Sequence, residues 1–478
     1  MNLLPHRIIK YQIYLLQLEN YNLKRFAKIF WRGFKKQRQE LIWTAKLKVV
    51  VLLALIIQFI LAIAGGWSVY LLIQSVAGNV VFVLVILYIL SLLFGLWLII
   101  ATVIVSPLDY ILKQRIISKA KQKIKNFPDL KIIGITGSYG KTTMKETVAT
   151  ILSQKYKVLA SAENKNTPLG ISRLILDKLD ESVNILIIEM GAYQRGDIKN
   201  LCDITKPNVA ILTGINESHL ERFGSIANTI SAKFEIVANS TTDVEIILNV
   251  DDSLVMKNYQ QHVSNKKVSF YSASNNQPAK YKISNQNFFT DGSGISFDLD
   301  GFNNLKVSLL GEYILGTIMA VVIIAEKLGL TKDEIKAGIN KIKPIEHRLQ
   351  LIKGSNDILV IDDSYNGNPA GAQAAIKTLA KFKNKRKIYV TPGLVEAGDK
   401  IKELHYNIGK QLSGVADKVI LIKNSVTAYI KDGLVENNFK EENIIFFDSA
   451  QEAHNSMGKI TKAGDVVLFQ NDWPDCYS

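Results

Sequence analysis

Cysteine is nearly absent from this chain: among 478 residues only Cys202 and Cys476 occur, far apart and with no histidine or cysteine near them at metal-ligand spacing. A disulfide framework and a structural zinc site are thereby excluded, and a reducing compartment fits. Acidic residues are scarce in two places. Residues 1–48 hold 11 Lys and Arg against 2 acids, and residues 106–131 hold 7 against 2. These segments carry +9 and +5 of the net +15, so the rest of the chain is close to neutral and a protein-wide nucleic-acid-binding surface is excluded. Between them, Val49 to Val105 contains no Asp, Glu, Lys or Arg. No internal repeat is present, and 48% hydrophobic with 21% charged residues excludes a largely disordered chain. The length suits two or three domains.

The uncharged stretch divides at Gln74–Asn79 into Val49–Ile73 and Val80–Val105. Each part is long enough to cross about 30 Å of hydrocarbon as a helix. A secretory signal would be shorter and nearer the start. An N-terminal transmembrane helical hairpin is therefore expected at 49–105, followed by a basic linker at 106–130. The Lys/Arg-rich flanks place both termini, and the domains that follow the hairpin, on the cytoplasmic side of the cytoplasmic membrane. The competing reading, a buried helical pair in a soluble core, requires soluble helices of unusual charge-free length. Trp67, Tyr70 and Trp97 suit interface anchors or ordinary packing. In residues 1–48, Tyr11 to Arg38 mixes Tyr14, Leu16, Phe26, Phe30, Trp31 and Phe34 with Lys24, Arg25, Lys28, Arg32, Lys35 and Lys36. That mixture reads as a basic amphipathic juxtamembrane helix on anionic membrane lipids. A nucleic-acid-binding arm is the weaker reading, because the segment leads into a membrane span.

From Lys131 the pattern becomes α/β. Strands are expected at Lys131–Thr136, Ile185–Glu189, Val209–Thr213 and Val244–Asn249, alternating with helices, which describes a parallel sheet. Residues 265–308 read as a small β-rich subdomain. A second series at Ile358–Ile361, Lys387–Val390, Lys418–Ile422, Asn443–Phe447 and Asp465–Phe469 predicts a Rossmann-like domain. The division expected is a central P-loop ATPase-like domain at 131–343 and a C-terminal domain at 344–478.

The stretch Ile133-Gly-Ile-Thr-Gly-Ser-Tyr-Gly-Lys-Thr-Thr143 runs from a strand through a Gly-rich turn into a helix. Its glycines let successive N–H groups converge on phosphate oxygens, and the helix N-terminus adds partial positive charge. Lys141 reaches the β- and γ-phosphates in this reading, and Thr142 offers its hydroxyl to Mg²⁺. Ile135 stands where the standard spacing has its first glycine, and a chance loop is the alternative.

The variant Thr136-Gly-Ser-Tyr-Gly-Lys-Thr142 resembles the ATP loop of the Mur ligase family. Further resemblances follow in order: Glu189-Met-Gly-Ala192, His219-Leu-Glu221, Phe223-Gly-Ser225, Ala232-Lys-Phe-Glu235, Asn249-Val-Asp-Asp252, Arg348-Leu-Gln350 and Asp362-Asp-Ser-Tyr-Asn-Gly-Asn-Pro369. The last of these, with Asn164–Pro168 and Leu169-Gly-Ile171, resembles the branch that adds D-alanyl-D-alanine to a muramoyl tripeptide. The resemblance covers about residues 131–478. It implies an ATP-dependent, ADP-forming amide ligase of peptidoglycan synthesis that works through an acyl phosphate, with ATP and Mg²⁺ as cofactors.

The resemblance also assigns residues. Lys141, Glu189, His219 and Lys233 are the expected catalytic set. Gly137, Ser138, Tyr139, Gly140, Lys141, Thr142 and Thr143, with Asn249, Arg348 and Asp363, are expected to bind ATP. Mg²⁺ is expected at Thr142, Glu189, His219 and a carbamylated Lys233, and the substrate at Asn164, Thr167, Asn366, Asn368 and Glu396. By residue chemistry alone, Glu189 could be a solvated strand-end acid, His219 a structural histidine, Lys233 a solvated helix lysine, and Asp362 or Asp363 a turn cap. Arg348 has the fork that a γ-phosphate needs. The chain departs from the family at Tyr313, Ile314 and Thr317, at Thr391–Gly398, where Glu396 is kept, and at Phe469–Asp475, in place of Lys-Gly-Ser-Arg. The membrane hairpin stands where soluble members carry a domain for the UDP-sugar. A Mur-type ligase acting on a lipid-linked precursor or another amine donor is thus the alternative, and a non-catalytic nucleotide-binding membrane scaffold is a further one.

Overall fold

The computed structural model describes residues 5–30, 41–73, 85, 89, 92–162, 165–217, 220–263, 266–365, 367–394 and 400–471. The chain divides into two compact units, residues 1–116 and residues 117–473.

The first unit is helical: Pro5–Leu18, Leu23–Phe30, Ala45–Ile73 and the start of Phe94–Lys125. The N-terminal segment forms two helices, because Asn20 and Tyr21 take left-handed φ values of 51° and 62° and reverse the chain between them. Glu19, 5% exposed, pairs with Arg25 across this turn at 2.5 Å. Tyr14, Leu16 and Phe26 pack with Leu47, Val50, Ala54, Phe94, Leu98 and Ala101, so their apolar side faces the two long helices. In the second long helical stretch the ladder breaks at Leu93, where the Leu96 amide bonds the Leu93 carbonyl instead of that of Leu92. The freed Leu92 carbonyl accepts from Gln12 Nε2 at 2.9 Å. Phe30 fills the space that a Cβ on Gly95 would occupy. The segment at 106–125 is helical, since Phe94–Lys125 continues through Pro107. Asp109 bonds both Lys46 and Lys113 at 2.8 Å, tying the two long helices together.

The second unit holds three sheets. The first contains β1 (Lys131–Thr136), β2 (Val158–Ala160), β3 (Ile185–Glu189), β4 (Val209–Leu212), β5 (Glu245–Asn249) and β6 (Lys267–Tyr271), all parallel in the order β2-β3-β1-β4-β5-β6. Side chains alternate along β1: Ile133 and Ile135 join one core, and Ile132 joins the other. Chain order reverses at β1, which is flanked by β3 and β4, and this leaves a crevice at the carboxyl end of β1.

Residues 265–308 split. β6 belongs to the main sheet, while β7 (Ile283–Phe288), β8 (Ile295–Leu299) and β9 (Phe302–Val307) form a small antiparallel sheet. Helix Tyr313–Lys327 is buried along most of its length in the core shared by these two sheets. The third sheet contains β10 (Gln350–Lys353), β11 (Leu359–Asp363), β12 (Lys387–Thr391), β13 (Lys418–Ile422), β14 (Ile444–Phe447) and β15 (Val466–Gln470), ordered β10-β11-β15-β12-β13-β14. Only β10 runs antiparallel to its neighbour.

Candidate active site at the end of the first sheet

β1 ends at Thr136, and the chain enters helix Lys141–Leu152 through the loop Gly137–Gly140. Two of these positions need glycine. A Cβ on Gly137 would lie 2.0 Å from Thr213 Oγ1, and Gly140 takes a left-handed φ of 74°. The loop is tied to the end of β4: Ser138 N–H donates to the Gly214 carbonyl at 2.8 Å, and Thr213 Oγ1 donates to the Tyr139 carbonyl. Lys141 Nζ donates to the Gly137 carbonyl at 2.9 Å. Desolvation holds its pKa below the usual lysine range, with Glu189 opposing that shift.

Parallel register brings the chemistry together. Glu189, last in β3, lies beside Ile135 of β1, and Thr142 Oγ1 donates to its carboxylate at 3.1 Å. Arg348 arrives from 206 residues further on and donates from Nη2 to Thr142 Oγ1 at 3.2 Å. Its neighbours His347 and Leu349 are left-handed, with φ of 59° and 46°, and shape the turn that presents Arg348. Arg348 Nε and Ser138 Oγ are buried without hydrogen-bond partners, two polar groups left over at a phosphate-shaped loop. Asp363, at the end of β11, accepts from Leu349 N–H at 3.2 Å. Burial pushes its pKa up to about 7, against the pull of that N–H and of Arg348. One cavity is lined by Tyr139, Thr143, Asn249, Tyr271, Arg348, Asp363 and Asn368.

Lys233, on helix Ile226–Asn239, is 3% exposed, with its ammonium 5.8 Å from the Phe223 ring centroid. Burial first, and the Lys141 charge second, push its pKa down to about 7. A solvated helix lysine is thereby excluded. His219, Asn164, Asn366 and Glu396 lie outside the described residues. Thr167 caps helix Pro168–Lys178 by accepting from Gly170 N–H at 3.3 Å. Asn368 caps helix Pro369–Ala380 and accepts from Asn216 Nδ2 at 3.1 Å, which joins the central and C-terminal sheets' loops. Asn249 Nδ2 donates to the Thr213 carbonyl at 2.9 Å. Sequence reasoning missed Lys145, 1% exposed, whose Nζ donates to the Ser161 carbonyl at 2.8 Å, while Ser161 Oγ accepts from Glu189 N–H at 3.0 Å. The available signal was its place one turn after Lys141.

Among the described residues no group of three or more His, Cys, Asp or Glu could cage a metal. The adjacent Thr142 hydroxyl and Glu189 carboxylate suit Mg²⁺ nonetheless, because that ion takes one or two carboxylates, phosphate oxygens and water. The glycine loop, Lys141 and Arg348 suit a nucleotide polyphosphate.

Fold and loop together define an ATP-grade phosphate site on an open α/β sheet, and comparison with known proteins agrees. Residues 135–325 match the Mur ligase middle domain, and residues 347–470 match the Mur ligase glutamate ligase domain. The UDP-N-acetylmuramoyl-tripeptide–D-alanyl-D-alanine ligase of Bacillus subtilis is 26% identical over 344 residues, 71% of this chain and 72% of that one. The enzyme of the same name from Escherichia coli is 28% identical over 67% of this chain and 72% of its own. The crystal structure of MurF ligase from Thermotoga maritima in complex with ADP superposes with a TM-score of 0.66 and 26% identity, covering 75% of this chain and 80% of that one. The chain belongs to the Mur ligase family.

Proposed function

We propose that this protein is an ATP-dependent, ADP-forming amide ligase that joins D-alanyl-D-alanine to the stem peptide of a muramoyl precursor in peptidoglycan synthesis, while anchored in the cytoplasmic membrane by its N-terminal helices. The observation that carries the reading is the Thr142 hydroxyl held between Glu189 and Arg348 beside Lys141. Amide formation needs a better leaving group than hydroxide. Transfer of the γ-phosphoryl group to the substrate carboxylate provides one: ADP leaves, an acyl phosphate forms, and the amine displaces phosphate. The protein's part is positioning and charge neutralisation.

Lys141 and the loop N–H groups bind the β- and γ-phosphates, and Arg348, whose Nε has no partner in the protein, donates to the γ-phosphate oxygens. Thr142 and Glu189 would hold Mg²⁺, which neutralises phosphate charge when bound. Asp363 accepts hydrogen bonds from ribose hydroxyls. Lys233, with a pKa near 7, has a large neutral fraction that can add CO₂, releasing a proton and leaving an anionic carbamate. That carbamate would be an oxygen ligand for a second Mg²⁺ with His219. Thr167, Asn366, Asn368, Asn164 and Glu396 are assigned to the peptide substrates.

The membrane assignment rests on where apolar side chains point. Of the exposed large apolar residues described, all but Tyr193, Tyr313 and Ile352 lie between Ile42 and Leu112. The apolar windows of the two long helices are only 28% and 22% buried. Water does not tolerate a patch of that size, and acyl chains do.

Purified full-length protein in detergent, given ATP, Mg²⁺ and a panel of UDP-linked and lipid-linked stem peptides with several amines, tests the reading. Phosphate release is expected with a muramoyl tripeptide plus D-alanyl-D-alanine. Release that ignores both acceptor and amine would reject ligation, and preference for a lipid-linked tripeptide would move the acceptor without changing the chemistry.

A further inference from the structure

The segment Asn249-Val-Asp-Asp252, assigned by resemblance to the adenine side, directs its polar side chains at the protein itself. Asn249 holds the Thr213 carbonyl and accepts from Asp251 N–H at 3.0 Å. Asp251 accepts from Ser272 Oγ at 2.5 Å, Ala273 N–H at 2.6 Å and Asn276 Nδ2 at 2.9 Å, fastening the loop after β6. Asp252, 6% exposed, turns the other way. One carboxylate oxygen caps helix Ser253–His262 through Val255 N–H at 2.8 Å. The other accepts from Ile215 N–H at 2.8 Å and from the Tyr139 hydroxyl at 2.7 Å.

Tyr139 is the middle residue of the phosphate loop, 113 positions before Asp252. Its ring lies so close over Gly214 that a Cβ there would come within 2.2 Å of it. Its carbonyl is held by Thr213, so the residue is pinned at both ends. Its ring also lines the nucleotide cavity together with Asn249 and Tyr271. Burial, reinforced by Asp252, pushes the phenol well above its ordinary pKa, so it stays a donor across the working pH range.

We infer that Asp252 is a positioning residue of the ATP site: by holding the Tyr139 hydroxyl it locks the phosphate loop to the base-side wall, so that nucleoside and phosphates are recognised as one rigid unit. The inference rests on the nucleotide-site reading above. Asp251 and Asp252, adjacent in sequence, then fasten two different segments, the loop after β6 and the phosphate loop. A loop fixed in advance loses less conformational freedom on binding, so the effect belongs in ATP affinity rather than in the chemical step.

The test uses the full chain in detergent and equilibrium binding of ATP by calorimetry, without acceptor or amine. Tyr139→Phe keeps the ring on Gly214 and removes only the hydroxyl. Asp252→Asn keeps a helix-capping oxygen and loses one of the two acceptors. Tyr139→Phe is expected to raise the ATP dissociation constant about tenfold, the size of one lost charge-assisted hydrogen bond, and Asp252→Asn, which also loses the Ile215 N–H bond, at least as much. The double variant should be no weaker than Asp252→Asn alone, because the Tyr139 bond is already absent there, while the Ile215 N–H bond is lost only with Asp252. In steady state the KM for ATP should rise about tenfold while kcat falls less than threefold, a split that a merely structural role would not produce. Wild-type affinity in Tyr139→Phe, or losses that multiply in the double variant, overturns the inference alone. Failure of the unsubstituted chain to bind ATP overturns the nucleotide-site reading and the inference together.

Discussion

The two units of this protein use the same apolar residue types in opposite directions. In the second unit every residue of β3 from Ile185 to Ile188 is buried, and the alternating faces of β1 feed two separate cores. In the first unit Phe59, Ile60, Ile63 and Trp67 are more than half exposed while Leu47, Val50 and Ala54 are covered. Burial drives packing in both, but the first unit leaves large apolar side chains facing outward, which the proposed membrane would cover. Polar side chains differ accordingly. Around the phosphate loop they meet one another to build a site, whereas Gln12 serves to satisfy a carbonyl that the broken ladder at Leu93 sets free.

The comparison can be broken most sharply at the site. Lys141→Ala should abolish ATP turnover, since the loss of a charge-assisted phosphate contact costs several kcal/mol in the transition state. Phosphate release with the full substrate set measures it, and near-normal turnover would remove the loop from function. Lys233→Ala should lose ligation yet keep ATP affinity. Lys233→Arg should fail equally because it offers no oxygen ligand, and a small carboxylic acid should partly restore the alanine variant. Wild-type rates in both would return Lys233 to a purely structural role.

In the first unit, Ile60→Lys puts a charge on an exposed apolar helix face and should cost about 3 kcal/mol of insertion at the helix centre. Membrane-fraction yield reads it, and an unchanged yield contradicts a lipid-facing surface. Reporters before Met1 and after Ser478 should both report the cytoplasm, and an external signal at either end would overturn the hairpin.

Asp363 sharpens the site by titration. Its folded pKa is raised to about 7, so it is protonated below that value and ionised above it. If the ionised form accepts from ribose, ATP affinity weakens as pH falls through about 7, by about tenfold one unit below it. Asp363→Asn should bind weakly and lack this part of the pH dependence, and identical profiles for the two proteins would exclude Asp363 from the nucleotide. The smallest effect belongs to Gln12→Leu, which should destabilise the helical unit by about 1 kcal/mol by leaving the Leu92 carbonyl bare. Unfolding in detergent measures it, and unaltered stability would mean that another donor takes over.

Sequence by itself determined what depends on short-range order. The charge-free run, the phosphate loop and strands such as β1, β3 and β13 were legible to the residue, because each is a local pattern of polarity and turn chemistry. β2 and β10 were not, since sheet-edge strands of 3 and 4 residues carry too little apolar periodicity to stand out. The two-helix packing of the N-terminal segment was also hidden: an apolar face looks the same whether lipid or another helix will cover it. Tertiary structure alone decided that Arg348 meets Thr142, that Asp252 meets Tyr139 and that Lys145 is buried behind Glu189. Those meetings are set by strand order and register over separations of up to 206 residues, where no local rule of residue type or spacing reaches.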